Sequence, residues 1–383
     1  MVSETQTQPS ASMERYERLR AAVRGMVLQP GDSGYEAATA VYNGMIHRHP
    51  ALIARCADVV DVVVAVAFAR EQELLLAVRG GGHSGAGLGT CDDGLVIDLS
   101  PMRDVRVDPE ACTVRIGGGG TLGDIDHATQ PFGLAAPIGI NSTTGIGGLT
   151  LGGGLGHLTR RFGLTIDDLI EADMVLADGS FVTVNKDKHP DLYWAIRGGG
   201  GNFGVVTSFL LRLHPVPSVV AGPTLWPLEE SGEVLAWYRT FMPNAPRELN
   251  GIFAYLKVPP YAPYPPDLAG TTMCAVIWCY SGPVETAADV LAPALQVGHP
   301  VSHFAQPMPL ARIQSAMDAL YPRGDQWYWK ADFFRELSDE AIAIHQEYGP
   351  RIPSLQSRMH LFPIDGAVHD IAADATAWSY RDV

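Results

Sequence analysis

The sequence predicts an α+β protein in two parts, and three observations carry that prediction. A strand–helix–strand unit opens the chain, a glycine-dense stretch follows it, and beyond about residue 215 long apolar strand-like runs alternate with helices. That second texture describes an antiparallel sheet backed by helices. With 383 residues, 46% of them apolar, the chain can bury a core large enough for two domains, or for one domain with a large insertion.

The elements follow in order. Residues 1–20, "MVSETQTQPSASMERYERLR", have neither a basic start nor an apolar block, so they read as a frayed polar tail without a secretory signal, and the cytoplasm is the expected compartment. "ALIARCA" (51–57) reads as a strand, "DVVDVVVAVAFAREQ" (58–72) as a helix capped by Asp58, and "LLLAV" (74–78) as a second strand, making a β-α-β unit with parallel strands. Strands at 95–100 and 112–117 follow, then a helix near 121–130. Residues 169–185 form a hairpin turned at Asp178 and Gly179, and 190–197 a helix with Pro190 at its start and Gly198 past its end. After a crossing segment (214–223), strands "NGIFAYLKV" and "TTMCAVIWCYS" flank a proline-rich loop, and helices cover 283–295 and 338–349, the latter opened by Ser338 and stopped by Gly349 and Pro350.

Composition excludes several functions. A formal charge of -15 disfavours sequence-independent binding to nucleic acid or anionic lipid, both of which need a basic surface. The most apolar run, residues 59–69, is far short of the ~20 residues needed to span a bilayer and contains Asp61. Five cysteines, odd in number and without C-x-x-C spacing, argue against a disulfide framework or a zinc site, and His157 has no second ligand at metal spacing. No metal is expected.

The glycines carry the chemistry. Of 41, 22 lie between residues 80 and 163, so close-approach backbone is concentrated in one region. Two stretches suit an anion nest, in which successive N–H groups turn toward a phosphate. One is "RGGGHSG" (79–85). The other is residues 139–169, where Gly145, Gly147, Gly148, Gly152, Gly153, Gly154 and Gly156 are too dense for a helix. A nicotinamide-binding turn needs G-x-G-x-x-G opening a helix, but "HSGAGLGTCDDG" after Gly82 has no helical periodicity.

The blocks "VRGGGHS", "GLVIDLSPM", "STTGIGGLTLGGGLGHLTRRFGLTIDDLIEADMVLADG" and "DLYWAIRGGGGNFGVVTSFLLRLHPVP" together resemble the FAD-linked oxidases of the berberine bridge enzyme type, in the vanillyl-alcohol oxidase superfamily. The likeness runs from about residue 35 to 383. It implies a PCMH-type FAD-binding domain of two α+β subdomains (35–216), preceded by a polar tail and helix (1–34) and followed by an α+β substrate domain (217–383). It also implies oxidation of an alcohol, sugar or secondary metabolite by hydride transfer to flavin, with dioxygen as acceptor and hydrogen peroxide as product. A dehydrogenase using another acceptor and a non-catalytic flavin-binding remnant are the alternatives. The family continues beyond the counterpart of "DATAWSYRDV" with a Tyr-x-Asn stretch, and its absence here motivates the remnant.

Residue by residue, the resemblance makes His83 the site of covalent attachment to flavin, against the plainer reading of a satisfied loop histidine. Asn141 stands where many members carry a second flavin-linking cysteine, which implies attachment through His83 only, or a more open site for bulkier substrates; Asn141 could also be a turn former. Thr144 matches a position that can control oxygen access. The remaining cofactor candidates are Arg79, Gly80, Gly81, Gly82, Ser84, Ser142, Thr143, Gly145, Gly148, Gly152, Gly153, Gly154, Gly156 and Val206. For a base and a positive field near the flavin, the second half offers residues 325–342, where Tyr328 and Lys330 share a face if the run is extended, and "RMHLFPIDGAVHD" (358–370). Lys330 there could stabilise reduced flavin or simply be solvated, and Asp365 and Tyr380 are further candidates. The expected partners are a small-molecule substrate and dioxygen. The oligomeric state is left open.

Overall fold

The computed structural model describes residues 11–383 and shows three main sheets with helices, an α+β architecture. The first sheet has the order Met26–Leu28, Leu52–Arg55, Leu95–Asp98, Leu76–Arg79. Its last three strands are parallel, and the two strands of the β-α-β unit flank Leu95–Asp98 rather than pair with each other. Helix Val59–Glu71 joins them, with the Asp58 carboxylate accepting from the N–H groups of Val60 and Asp61. The expected frayed tail is partly helix: Ala11–Ala22 packs Tyr16 and Leu19 into the core beneath this sheet, and residues 1–10 lie outside the described residues.

The second sheet is antiparallel, in the order Val105–Asp108, Thr113–Gly117, Val205–Arg212, Leu169–Val175, Phe181–Asn185. The last two strands are the expected hairpin, with Gly179 in its turn at φ 87°. Helix Leu122–Thr129 starts in a capping box made by Thr121 and Asp124. One glycine stretch departs from expectation, because Ile146–Leu151 is a short helix despite two internal glycines. Burial of Ile146 and Thr150 offsets the backbone entropy that glycine costs.

The third sheet is antiparallel, in the order Ser302–His303, Val219–Trp226, Thr272–Tyr280, Leu249–Lys257, Met359–Leu361, with Gln306–Met308 also on Val219–Trp226. Period-2 alternation sorts its side chains. Phe253, Tyr255, Val276, Trp278 and Leu361 pack under helices Ser231–Asn244 and Asp339–Tyr348. Ile252, Ile277 and Cys279 face the other way, toward Ala135 and Leu158 of the first half. Because both faces are covered, the strands are nearly continuous apolar runs. The helix expected over 283–295 is broken into a 3-10 turn, helix Ala287–Leu291 and a second 3-10 turn, because Pro293 cannot continue it. The run expected to be extended over 325–342 forms no strand: residues 325–337 pair with no sheet edge and lie mostly exposed, and its end belongs to helix Asp339–Tyr348. Among the described residues no helix is long and apolar enough to cross a membrane.

Candidate functional site

The first glycine block begins where strand Leu76–Arg79 ends. The Arg79 guanidinium turns into the sheet, donating from Nε and Nη2 to the two Asp98 oxygens at 3.3 and 2.7 Å and from Nη1 to the Ala38 carbonyl. Burial pushes the Asp98 carboxyl up, but Arg79 and Ser100 outweigh it and hold the group below its usual range. Arg79 therefore frames the loop and leaves the following backbone to meet a ligand. Among the described residues, the N–H groups of Gly81, Gly82, His83, Ser84 and Gly85 donate to no acceptor, as an anion nest requires.

The second block touches the first. A Cβ on Gly81 would lie 2.4 Å from the Gly145 nitrogen, and one on Gly145 would lie 2.3 Å from the Gly81 nitrogen, so only glycine lets these loops meet. Gly148 differs, because a Cβ there would point into open space. With Gly152, Gly154, Phe333 and Trp378 it lines a cavity of about 320 Å³. Gly153 backs onto the Trp378 ring and Gly156 onto the Ile138 carbonyl. His157, beside them, is fully buried, and burial pushes its pKa down to about 4, so it is neutral.

His83 stands at the edge of a larger cavity of about 920 Å³. Its ring stacks on Tyr42 at 3.8 Å between centroids, and Tyr42 continues into the near-parallel rings of Trp327 and Trp329. Its Nε2 lies 3.1 Å from the Thr143 hydroxyl, which itself donates to Asn141 Oδ1 at 2.7 Å. That hydroxyl has one proton, and giving it to Asn141 leaves its oxygen to accept from His83 Nε2–H. The lone pair is then on Nδ1. Burial, together with the Arg323 cation, pushes the His83 pKa down to about 4 against the opposing pull of Thr143, so the imidazole is neutral.

Of the expected residues, this cavity gathers His83, Asn141, Thr144 and Tyr328. Asn141 Oδ1 also accepts from the Thr143 N–H at 3.1 Å, so its oxygen shapes the turn while its side chain lines the wall. Ser84 Oγ accepts from Leu88 N–H at 3.2 Å. Other expected residues have different work. Ser142 donates from both its N–H and its hydroxyl to Asp318, binding the second glycine block to the second half. Val206 is core of the second sheet, and Asp365 is the counter-ion of the buried Arg160. Lys330 lies outside the cavity wall with its Nζ 6.0 Å from the Tyr328 ring centre, because the 325–337 run is not a strand that aims both side chains inward. Tyr380 stacks on Phe333 at 4.1 Å.

Sequence reasoning missed Tyr42 and Tyr321 in the wall of the same cavity; Arg358 and His360, also there, lie in the stretch 358–370 that the sequence offers for the base or positive field, without being singled out within it. Tyr42 had no motif to announce it. Arg358 and His360 carry a weak signal, two polar residues two apart beside an apolar strand, which ordinarily marks a solvated face.

A row of unengaged N–H groups in a loop that meets the second glycine block at Gly145 suits a dinucleotide pyrophosphate, and the larger cavity offers aromatic walls for a ring system. The residues present fit FAD. A family model described as "FAD binding domain" matches residues 50–185. An FAD-linked oxidoreductase of Dictyostelium discoideum is 32% identical over 366 residues, covering 94% of this chain and 77% of that protein. The chain belongs to the FAD-linked oxidoreductases. A solved 6-hydroxy-D-nicotine oxidase of Arthrobacter nicotinovorans is 30% identical, with a TM-score of 0.71 over 79% of this chain and 66% of its own. The fold of this oxidoreductase is that of the berberine bridge enzyme type: the BBE-like 1 protein of Physcomitrella patens superposes with a TM-score of 0.81 at 24% identity, over 96% of this chain and 81% of that one.

Proposed function

We propose that this FAD-linked oxidoreductase is an oxidase of a small alcohol, sugar or secondary metabolite, with its flavin held covalently through His83 and dioxygen as electron acceptor. The carrying observation is the cavity that brings neutral His83, Asn141 and Thr144 from the glycine loops against Tyr328 and the aromatic walls of the second half. Residues 35–216 would hold the cofactor and 217–383 the substrate. When bound, FAD supplies the hydride acceptor and the reaction with dioxygen.

The chain's own residues supply the rest. The nest at residues 81–85 and the open face of Gly148 would hold the pyrophosphate. His83 Nδ1, carrying a lone pair at neutral pH, is the nucleophile for attachment. Asn141 has no thiol to make a second link. Tyr328, at the wall, is the candidate acceptor of the substrate's hydroxyl or amine proton. The 6-hydroxy-D-nicotine oxidase among the solved relatives supports oxidase chemistry. All five cysteines are free and four of them are buried, which supports a reducing compartment, the cytoplasm.

The test is to denature the purified protein in acid, pellet it, and follow the yellow absorbance, comparing wild type with His83→Ala and mapping the modified peptide by mass. Flavin retained on the His83 peptide and released into the supernatant by the substitution is expected. Flavin free in the wild-type supernatant overturns the covalent link, and colourless protein overturns the cofactor assignment. Peroxide formation across a donor panel then separates an oxidase from an enzyme that reduces only a dye.

A further inference from the structure

The third-sheet wall of the large cavity carries a cation that forms no ion pair among the described residues. Arg358 and His360 stand two apart at the start of strand Met359–Leu361, on the side opposite Met359 and Leu361, which pack into the core under the helices. Both line the cavity. Arg358 Nη1 donates to the Met317 sulfur at 3.3 Å, and its guanidinium carbon lies 5.4 Å from the Tyr321 ring centre. Its Nε and Nη2 are buried, and neither has an acceptor among the described residues.

Those two nitrogens form the side-on fork of a guanidinium, the edge that grips a carboxylate with two parallel N–H···O bonds. The protein shows the filled version of this arrangement elsewhere: Arg79 uses the same two nitrogens on the two oxygens of Asp98. Leaving one buried at Arg358 without an acceptor is costly, and an anionic ligand relieves that cost.

The surroundings select which anion. His360 Nε2 is also buried without a partner, and burial with the Arg358 cation pushes its pKa down to about 4, so it offers a hydrogen bond but no charge. Asp325, also in the wall, adds a negative charge. A fork of two parallel N–H donors with a neutral neighbour matches the two oxygens of a carboxylate monoanion. Tyr42, Tyr321, Trp327 and Trp329 supply flat apolar walls. We propose that the substrate of this enzyme has a planar, apolar body bearing a carboxylate, gripped side-on by Nε and Nη2 of Arg358 with His360 as a neutral neighbour. This rests on the oxidoreductase reading of the cavity and adds the substrate class to it.

The experiment titrates the purified holoprotein with benzoate, benzamide and phenyl phosphate, reading tryptophan fluorescence from Trp327 and Trp329 and the flavin absorption band. Benzoate is expected to bind at least tenfold more tightly than its neutral isostere benzamide. Arg358→Gln should bring that ratio to about one while leaving benzamide affinity within twofold, and Arg358→Lys, which keeps charge but loses the fork, should keep part of it. A wild-type ratio near one, or one that survives Arg358→Gln, overturns the proposal. Phenyl phosphate binding more tightly than benzoate overturns the carboxylate assignment. If Arg358→Gln does not fold, the wild-type ratio and Arg358→Lys decide. Protein purified without flavin defeats the oxidoreductase reading alone, since the tryptophan signal still reports on Arg358; flavin present with no carboxylate preference defeats this inference alone.

Discussion

At the scale of single residues, charge in this protein is governed by whether a buried group has a partner. Asp98 is 1% exposed and depends on Arg79, with Arg55 Nε also reaching it at 3.2 Å. Arg79→Met removes the bidentate partner and leaves a buried carboxylate, which typically costs about 3–5 kcal/mol; Arg55 puts the expected loss near the lower end. Because the folded-state pKa of Asp98 is depressed, its contribution is present above the unfolded carboxylate value and lost as pH falls through the folded value. Urea unfolding at pH 7 and pH 3 checks both points: the variant should be destabilised at pH 7 and less so at pH 3, and equal destabilisation at both would assign the effect to packing. The cavity wall was legible where a motif names a residue by its neighbours, as for His83, Asn141 and Thr144. It was not legible for Tyr42, nor for which residues of the 358–370 stretch reach the cavity, Arg358 and His360, because that depends on which strand face meets which loop, a matter of register and topology that local spacing does not encode.

At the scale of elements, what local chemistry dictates was readable. Asp58 and Ser338 cap helices because their side chains satisfy free N–H groups, and Pro190 opens a helix because it needs no N–H there. Glycine density misled at Ile146–Leu151, where propensity argues against a helix and tertiary burial overrides it. The aromatic run 325–337 has strand composition but no pairing partner, so a β-like sequence became an irregular wall segment. The glycine blocks themselves divide into two kinds with opposite consequences. Gly81→Ala drives a methyl into the Gly145 backbone, so low yield or a lowered melting point is expected along with lost flavin. Gly148→Ala meets no protein atom, so the unfolding free energy of the flavin-free protein should hold within about 0.5 kcal/mol of wild type. If the proposed cofactor site includes Gly148, that methyl crowds it, and flavin-to-protein absorbance should fall. Full flavin content in Gly148→Ala would remove that glycine from the cofactor site.

At the scale of the whole molecule, the large cavity exists only because the two halves meet, so whatever joins them sets its shape. Arg160, 2% exposed, donates to the carbonyls of Met242, Ala245, Pro246 and Leu249 at the end of helix Ser231–Asn244, and Ser142 holds Asp318. A third contact is sensitive to pH. Asp126 on helix Leu122–Thr129 lies where that helix packs against helix Leu310–Ser315, and its Oδ2 and Gln314 Oε1 are both buried acceptors without a donor among the described residues. A proton on the carboxyl supplies that donor. Burial pushes Asp126 up to about 7, with the Gln314 hydrogen bond holding it lower. Between the unfolded carboxylate value and about 7, the folded protein keeps a proton that the unfolded chain has lost, so stability falls as pH rises through that window and levels off above it. Asp126→Asn has no carboxyl to ionise. Relative to wild type it should be more stable by about 2–4 kcal/mol at pH 8, with the difference closing toward pH 4, where the unfolded carboxyl also takes up its proton. Melting curves of the two proteins across pH 4 to 8 decide it. Parallel curves would mean that Asp126 does not titrate in this window, whereas converging ones would place a proton at the joint between helix Leu122–Thr129 and helix Leu310–Ser315.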